Sequence, residues 1–518
     1  MKRLSFALLL TLLVIPFSCK DAREETGRPL QPIVILYEND VHCAIDGYAK
    51  LAGLRSALSD SNYVAVVSSG DYLQGGTAGA LSFGSYIMDV QKAVGYDAMT
   101  LGNHEFDYYT DRLLELVGEY NPPVVCANLF DARTGERVFP AYVIRQYGPR
   151  KVAFVGALTP ETADAEFYAL HDEAGEDIYD LKPETVYQLV QEAADEARSE
   201  GADFVIVLSH LGEQPIIQNV DSHGLIAATK GIDAVLDGHS HATVPGEYLT
   251  NAAGEKVLIS QTGTAFKNIG KLVIDEEGKI SNELIPVDSL TEEDPAVAAA
   301  LASVKKQMEE TAARIVGESE VDLRINDEAG VRMVRRSETN TGDLLCDAMR
   351  YVTGAQIALS NGGGIRTDIP AGTITYGDIV AIFPFVNYVC KVNATGDDIL
   401  AVLEHCTRKA PEVEDGDFPQ CSGIRYTVHT SDHRLSGVSV LTENGGWEPL
   451  DPEKTYSLAT ITYCVNGGGF GKLLWDCTGY ENTGLLYRDA VANYITEALG
   501  GHIGQTYAQP QGRISFVQ

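Results

Sequence analysis

The chain of 518 residues has room for two large α/β domains or about three smaller ones. Its 45% hydrophobic and 22% charged residues form an ordinary globular balance, which argues against a disordered chain and a polytopic membrane protein. Lys plus Arg number 39 against 73 Asp plus Glu, a formal charge of −34. So acidic a chain is a poor binder of DNA or RNA polymers, whose phosphates are held mainly by Lys and Arg. Small phosphorylated ligands stay open, because metal ions can hold them locally in a negative protein.

At the start, Lys2 and Arg3 precede an apolar run over residues 4–17 and then Ser18-Cys19. A charged start, a short apolar run and a small residue before the cut describe a secretory signal. The run is shorter than the roughly 20 apolar residues of a spanning helix. Residues 1–19 resemble the lipobox of bacterial lipoproteins, which implies acylation at Cys19 and membrane contact through that anchor alone. Pro16-Phe17 departs from the usual small and aliphatic residues there, and ordinary secretion is the alternative. Residues 20–31 read as a polar tether, with the protein exported to the periplasm or held at the outer-membrane or cell surface.

Eight cysteines remain after Cys19: Cys43, Cys126, Cys346, Cys390, Cys406, Cys421, Cys464 and Cys477. An even count in an oxidising compartment permits disulfides. No pair has CxxC spacing, and several sit in apolar runs where Cys is a small core residue.

From residue 32 to 290, apolar runs alternate with helix-like stretches. The runs PIVILYEND, YVAVVSSGD, VVCANL, KVAFVGAL, DFVIVLSH and AVLDGHSH are of strand length and non-alternating. Strands buried on both faces read that way. Residues 110–119 and 183–199 carry helical spacing, and the alternation implies a layered α/β domain with mainly parallel strands. Asp294-Pro295 then opens an Ala-rich, Lys/Glu-rich stretch to about residue 315, with Asp as N-cap and Pro at the first helical position. Residues 291–325 read as an exposed helical connector. A second α/β region covers 326–518, with glycine-rich turns at 362–364 and 467–469.

The apolar runs end in chemistry. They lead to Asn39-Asp40-Val41-His42, Ser69-Gly70-Asp71, Gly102-Asn103-His104-Glu105, Ser209-His210 and Asp237-Gly238-His239-Ser240-His241. Ligand sites of α/β sheets form at the carboxyl ends of strands, so these residues are expected to converge. If the strand continues through Asp40 and His42, their side chains share one face. Gly70, Gly102 and Gly238 allow close backbone approach. Five of the 11 histidines sit at these ends, interleaved with Asp40, Asp71 and Asn103. One such histidine is most simply a hydrogen-bonded loop residue; five in this order read as a metal centre. Mixed oxygen and imidazole donors suit Mn, Zn, Fe or Co rather than Ca. About seven candidates fit two ions sharing a bridging carboxylate, an arrangement that activates water and clamps the oxygens of a phosphoryl group.

The set D-x-H, GDxxQG, GNHEFD, SHLG and GHSH closely resembles the calcineurin-like metallophosphoesterases, and within them the bacterial 5′-nucleotidase/UDP-sugar hydrolase group. The resemblance implies a four-layer α/β/β/α metallophosphoesterase domain followed by an α/β nucleotidase domain that binds substrate. It implies one divalent ion on Asp40, His42 and His241, and a second on Asn103, His210 and His239. Asp71 would bridge them, with Zn, Mn or Co as the metals. His104 matches the family's catalytic histidine and Asp107 its partner. His241 stands where closer relatives often have Gln or Asn, and imidazole is a competent substitute. Cys43 is a conceivable extra ligand, although on a strand it would face away from His42.

In the second half, ETNTGDLLCDAM, SNGGGIR and YGDIVAIFPF resemble the family's C-terminal domain. That likeness implies substrate contacts from Arg335, Asn361, Gly363 and Arg366, with Phe385 as one wall of a base sandwich. Phe470 in VNGGGF is the candidate for the other wall, and Asp476 for holding the ribose hydroxyls. The Asp that relatives carry in GGDG is missing here. The expected activity is hydrolysis of nucleoside 5′-monophosphates at an interdomain site, with domain rotation about the connector. A 2′,3′-cyclic-nucleotide phosphodiesterase and a UDP-sugar pyrophosphatase are the enzymatic alternatives. A catalytically silent surface binding protein is the alternative from another class.

Overall fold

A computed structural model describes residues 30–172, 176–214 and 219–518. The expected signal, lipobox and most of the tether lie outside the described residues. No helix among them is long and apolar enough to cross a membrane.

The N-terminal domain is two sheets face to face with helices outside each. One sheet runs, in spatial order, Ile280–Pro286, Asn268–Ile274, Ile33–Glu38, Tyr63–Ser68 and Ala98–Met99. Its last three strands are parallel. The other runs Thr243–Thr250, Lys256–Thr262, Ala234–Leu236, Phe204–His210, Arg150–Leu158 and Tyr142–Tyr147, parallel through its middle four strands. The unbroken apolar runs follow from burial on both faces. Ile33, Ile35 and Tyr37 enter the core between the sheets, with Phe154, Ile206 and Leu208 from the facing sheet. Val34 and Leu36 point the other way, into the core beneath the helices Gly47–Leu58 and Ser85–Val94. Val155 and Val207 do the same beneath Val186–Ser199. These are the four layers α/β/β/α.

The run VVCANL departs from the strand expectation. Val125 N–H bonds to Met99 O in the first sheet, and Ala127 N–H to Gly156 O in the second. After Pro122-Pro123 the segment makes one parallel bridge to the first sheet, Val124 beside Met99, and then crosses to the second, lacing the two together instead of forming a strand of either.

Asp294 caps the helix Pro295–Ala312, accepting from Ala296 and Val297 N–H. That helix is not a free connector: Val297, Leu301 and Val304 are buried in the core of the N-terminal domain. The strand Ile315–Ser319 already pairs with Gly372–Thr375 of the second domain, so the segment 291–325 divides between the two. The C-terminal domain is built on the five-stranded sheet Pro419–Ser422, Ile357–Asn361, Thr455–Ile461, Tyr388–Thr395, Thr478–Leu486. All eight described cysteines are free, and seven are buried, as core residues rather than disulfides.

Candidate metal centre and substrate cleft

The seven expected ligands come together at the carboxyl ends of the parallel strands, by a different local route from the one the sequence suggests. The first strand stops at Glu38, so Asp40 and His42 do not share a strand face. Instead Asp40, His42, Asp71, His239 and His241 all have positive φ, between 45° and 74°. Left-handed backbone at non-glycine residues costs of order 1–3 kcal/mol each and persists where the surroundings enforce it, typically at functional sites. Here it turns successive side chains inward to one point.

Carboxylate and imidazole atoms of Asp40, His42, Asp71 and His241 lie within 4.8 Å of one another. His42 Nε2 is 3.0 Å from His241 Nε2, and His241 Nε2 is 3.4 Å from Asp40 Oδ1. On the other side, His210 Nε2 is 3.1 Å from Asp71 Oδ2, and His239 Nδ1 is 3.1 Å from Asn103 Oδ1. Asp71 stands between the two halves, since its Oδ2 is also 3.7 Å from His42 Nε2.

The hydrogen bonds on the outer ring nitrogens tell what belongs in the middle. His210 Nδ1 lies 2.6 Å from Ser69 O and His42 Nδ1 lies 3.3 Å from Gln74 O, so each donates there. His239 Nε2 lies 2.7 Å from Glu161 Oε2 and donates to it. The inward nitrogens of His210 and His239 are then lone pairs facing oxygens of Asp71 and Asn103, and that of His42 faces the ring of His241. Acceptors set 3 Å apart without hydrogens call for cations between them. Buried His210 Nε2, although 3.1 Å from Asp71 Oδ2, makes no hydrogen bond of good geometry among the described residues. The donor set thus fits two borderline-soft divalent ions.

The glycines are spacers. A Cβ on Gly102 would stand 2.1 Å from Asp71 Oδ1 and 2.6 Å from His210 Nε2, and one on Gly238 would stand 2.7 Å from His210 Nδ1. Cys43 is no ligand, because its thiol donates to Leu73 O at 3.0 Å and burial holds its pKa far above the usual range.

Sequence reasoning missed three carboxylates. Buried Glu105 accepts the backbone N–H groups of Asp71, Tyr72, Leu73 and Gly102 at 2.6–2.9 Å, tying two ligand loops together. Burial, then the charge of Asp71, pushes its pKa up to about 7 against those donors. Glu161 meets His239. Glu166 sits with His104 and Asp107, their ligand atoms within 4.8 Å, and burial then the charge of Asp107 holds its carboxyl well above the usual range. The only sequence signal for Glu105 was its place inside GNHEFD; Glu161 and Glu166 lie in an unremarked turn after the strand Arg150–Leu158.

His104 joins the metal centre to a cleft. Its ring centroid is 5.1 Å from that of His42, its backbone N–H donates to Asp71 Oδ1 at 2.9 Å, and its Nδ1 is 3.0 Å from Asp107 Oδ1. Burial alone would lower its pKa. The hydrogen bond to Asp107 and the charges of Asp71 and Asp107 overcome that and hold it up to about 10.

The cleft, about 670 Å³, is lined by both domains: His104, Asp107, Tyr109 and Glu166 from the first, Arg335, Asn361, Gly363, Phe385 and Tyr463 from the second. Arg335 Nε is buried without a hydrogen-bond partner among the described residues, and burial, then Arg332 and Arg366, lowers the guanidinium pKa. Arg366 is not among the residues that line the cleft; its guanidinium is 5.6 Å from the Phe385 ring and donates to Gly363 O. Phe470 and Asp476 do not line the cleft. Phe470 is 1% exposed in the C-terminal core, and Asp476 is on the surface. The glycine turn carries Phe470 inward, while Tyr463, 40% exposed just before it, borders the same cleft as Phe385.

Residues 33–243 match the model of the calcineurin-like phosphoesterases, and residues 315–474 that of the 5′-nucleotidase C-terminal domain. The chain is thus a metallophosphoesterase domain joined to a nucleotidase domain. It belongs to the 5′-nucleotidase family of metal-dependent phosphoester hydrolases. The trifunctional nucleotide phosphoesterase protein YfkN of Bacillus subtilis is 28% identical over 94% of this chain, and the chain spans 35% of that relative's length. Protein UshA of Escherichia coli is 26% identical over 82% of this chain and 80% of its own. The 5′-nucleotidase precursor of Thermus thermophilus has a crystal structure similar over 94% of this chain and 99% of that one, with a TM-score of 0.59 and 26% identity.

Proposed function

We propose that the protein hydrolyses nucleoside 5′-monophosphates to nucleoside and phosphate, with residues 32–290 carrying the chemistry and 326–518 reading the substrate. The observation behind this reading is one cleft lined by His104, whose ring is 5.1 Å from that of His42 in the metal centre, together with Phe385, Tyr463 and Arg335. Asp40, His42 and His241 would hold one divalent ion and Asn103, His210 and His239 another, with Asp71 shared; Zn, Mn and Co all suit these donors. Such a pair supplies Lewis acidity and an activated water for in-line displacement at phosphorus.

The rest falls to the chain. Arg335 and Asn361 orient the substrate, and Arg is suited to this because its planar fork pairs with phosphate or hydroxyl oxygens. Phe385 and Tyr463 offer aromatic faces to the base, and base stacking of this kind is worth about 1–3 kcal/mol. His104, fixed at Nδ1 by Asp107, keeps Nε2–H for the charge that develops on the phosphoryl and leaving oxygens. Rotation of one domain against the other, about the segment that joins them, is part of this proposal. The export reading of residues 1–19, with a lipid anchor on Cys19, belongs to the same proposal; a Cys19→Ser chain released in soluble form would support the anchor.

The test is turnover of AMP, UDP-glucose and 2′,3′-cyclic AMP side by side, with and without chelator. AMP is expected to be fastest and chelator-sensitive. Faster cyclic AMP or UDP-glucose would replace the nucleotidase with the phosphodiesterase or the pyrophosphatase. No turnover with two ions bound would favour the binding protein.

A further inference from the structure

The histidines of the metal centre differ in what stands behind them. His210 and His42 are backed by neutral backbone carbonyls, of Ser69 at 2.6 Å and Gln74 at 3.3 Å. The side chain of His241 is 46% exposed and turned toward Asp40 and His42. Among the described residues, only His239 is backed by a carboxylate, Glu161 Oε2 at 2.7 Å. Both partners are largely buried, the His239 side chain 11% exposed and that of Glu161 6%. Glu161 reaches this place because the strand Arg150–Leu158 runs parallel to Phe204–His210 in register, Leu158 beside His210. The turn after Leu158 therefore opens onto the same rim as the ligands. Thr159 fixes that turn, its hydroxyl accepting from Glu161 N–H and its carbonyl from the Thr162 hydroxyl.

A carboxylate on one ring nitrogen does two things to the other. It fixes the tautomer, so that Nδ1 of His239 is a lone pair aimed at Asn103 Oδ1, and it raises the basicity of that lone pair. We propose that Glu161 is a positioning residue of the metal centre, which makes the half formed by Asn103, His210 and His239 the tighter ion site. The half formed by Asp40, His42 and His241 has no such support and is the labile site. This rests on the dinuclear reading above and deepens it.

The experiment counts metal, not product. Manganese-loaded full chain is dialysed against rising chelator and the bound ions are measured by elemental analysis. Wild type is expected to lose its ions in two steps. Glu161→Ala should need about 10–100-fold less chelator to lose the second, the usual scale for an outer partner of a histidine ligand, so that the steps merge. Glu161→Gln still accepts the hydrogen from Nε2 but brings no charge, and should fall between. Unfolding of the metal-free proteins is followed in parallel; if Glu161→Ala fails to fold, the Gln variant alone decides. Identical release curves for wild type and either folded variant would overturn the role of Glu161. A wild type that binds no ions would instead sink the dinuclear reading.

Discussion

His104 is held by its backbone to Asp71 and by its ring to Asp107, so it is aimed without depending on bound metal. Removing its ring takes nothing from the ligand set. His104→Ala is therefore expected to keep both ions and lose roughly 10²–10⁴ in turnover, the range of a general acid–base group. Unchanged turnover would take His104 out of the mechanism. The aromatic pair gives a second residue-level test, since Tyr463 and Phe470 compete for one role and differ in burial. Tyr463→Ala should raise KM for AMP about tenfold, within the ~1–3 kcal/mol of a stacked base, and leave p-nitrophenyl phosphate untouched. Phe470→Ala should instead lower stability by about 3–5 kcal/mol as a core truncation. The reverse pattern would restore Phe470 to the cleft wall.

At the scale of elements, the strands were legible because burial on both faces demands unbroken runs of Val, Ile and Leu, and the ligands were legible because they close those runs. What periodicity could not carry was backbone handedness. Asp and His adopt positive φ more readily than most residues, but that tendency is too weak to single out Asp40 and His42, so the sequence route to convergence, a continued strand, differs from the observed one. VVCANL has strand composition yet bridges two sheets, because hydrogen-bond partners are set by tertiary neighbours. Phe470 followed a turn whose missing Asp marked it as different. The C-terminal strand Ile514–Val517 shows a similar limit. Its approach is pinned by Gln511 N–H to Asp343 Oδ2 and Ile514 N–H to Glu338 Oε2. Arg513, 3.3 Å from Asp343, is bound at 2.8 Å by both oxygens of Asp347, so its charge does not offset burial. Burial, against Arg513 and with the charge of Glu338, pushes the Asp343 pKa up to about 8. Folded protein then keeps a proton there that unfolded chain releases near pH ~4. Stability from this group is full below pH ~4 and falls as pH rises toward ~8. Asp343→Asn, which still accepts from Gln511, should flatten that fall. Urea midpoints measured from pH 5 to 8 check it, and parallel curves would mean an ionised Asp343.

At the scale of the whole molecule, one of the places where the two domains meet holds a buried cation, Arg488. Ala80, in the N-terminal helix Gly76–Ser82, packs into the C-terminal core, and the loop before this helix lines the cleft. Arg488, 1% exposed, donates from Nη2 to Ala80 O at 2.6 Å, with its guanidinium 5.2 Å from the Phe83 ring. Its Nε and Nη1 make no hydrogen bond of good geometry among the described residues, with the Tyr376 hydroxyl the polar group beside them. A charged hydrogen bond contributes about 1.5–3 kcal/mol and a desolvated cation–π contact about 2, whereas each orphaned donor costs about 1–3. With the desolvation of the charge itself, closure over Arg488 is balanced or slightly unfavourable. In an open form water would satisfy all its donors. On this balance Arg488 acts against over-stable closure, which suits the proposed turnover at a cleft that both domains line. Arg488→Met fills similar space without the charge. It is expected to make the ligand-free protein more compact in small-angle scattering, lower KM several-fold, and lower kcat where opening limits release. An expanded variant with raised KM would show the opposite, that Ala80 and Phe83 hold Arg488 as a clasp.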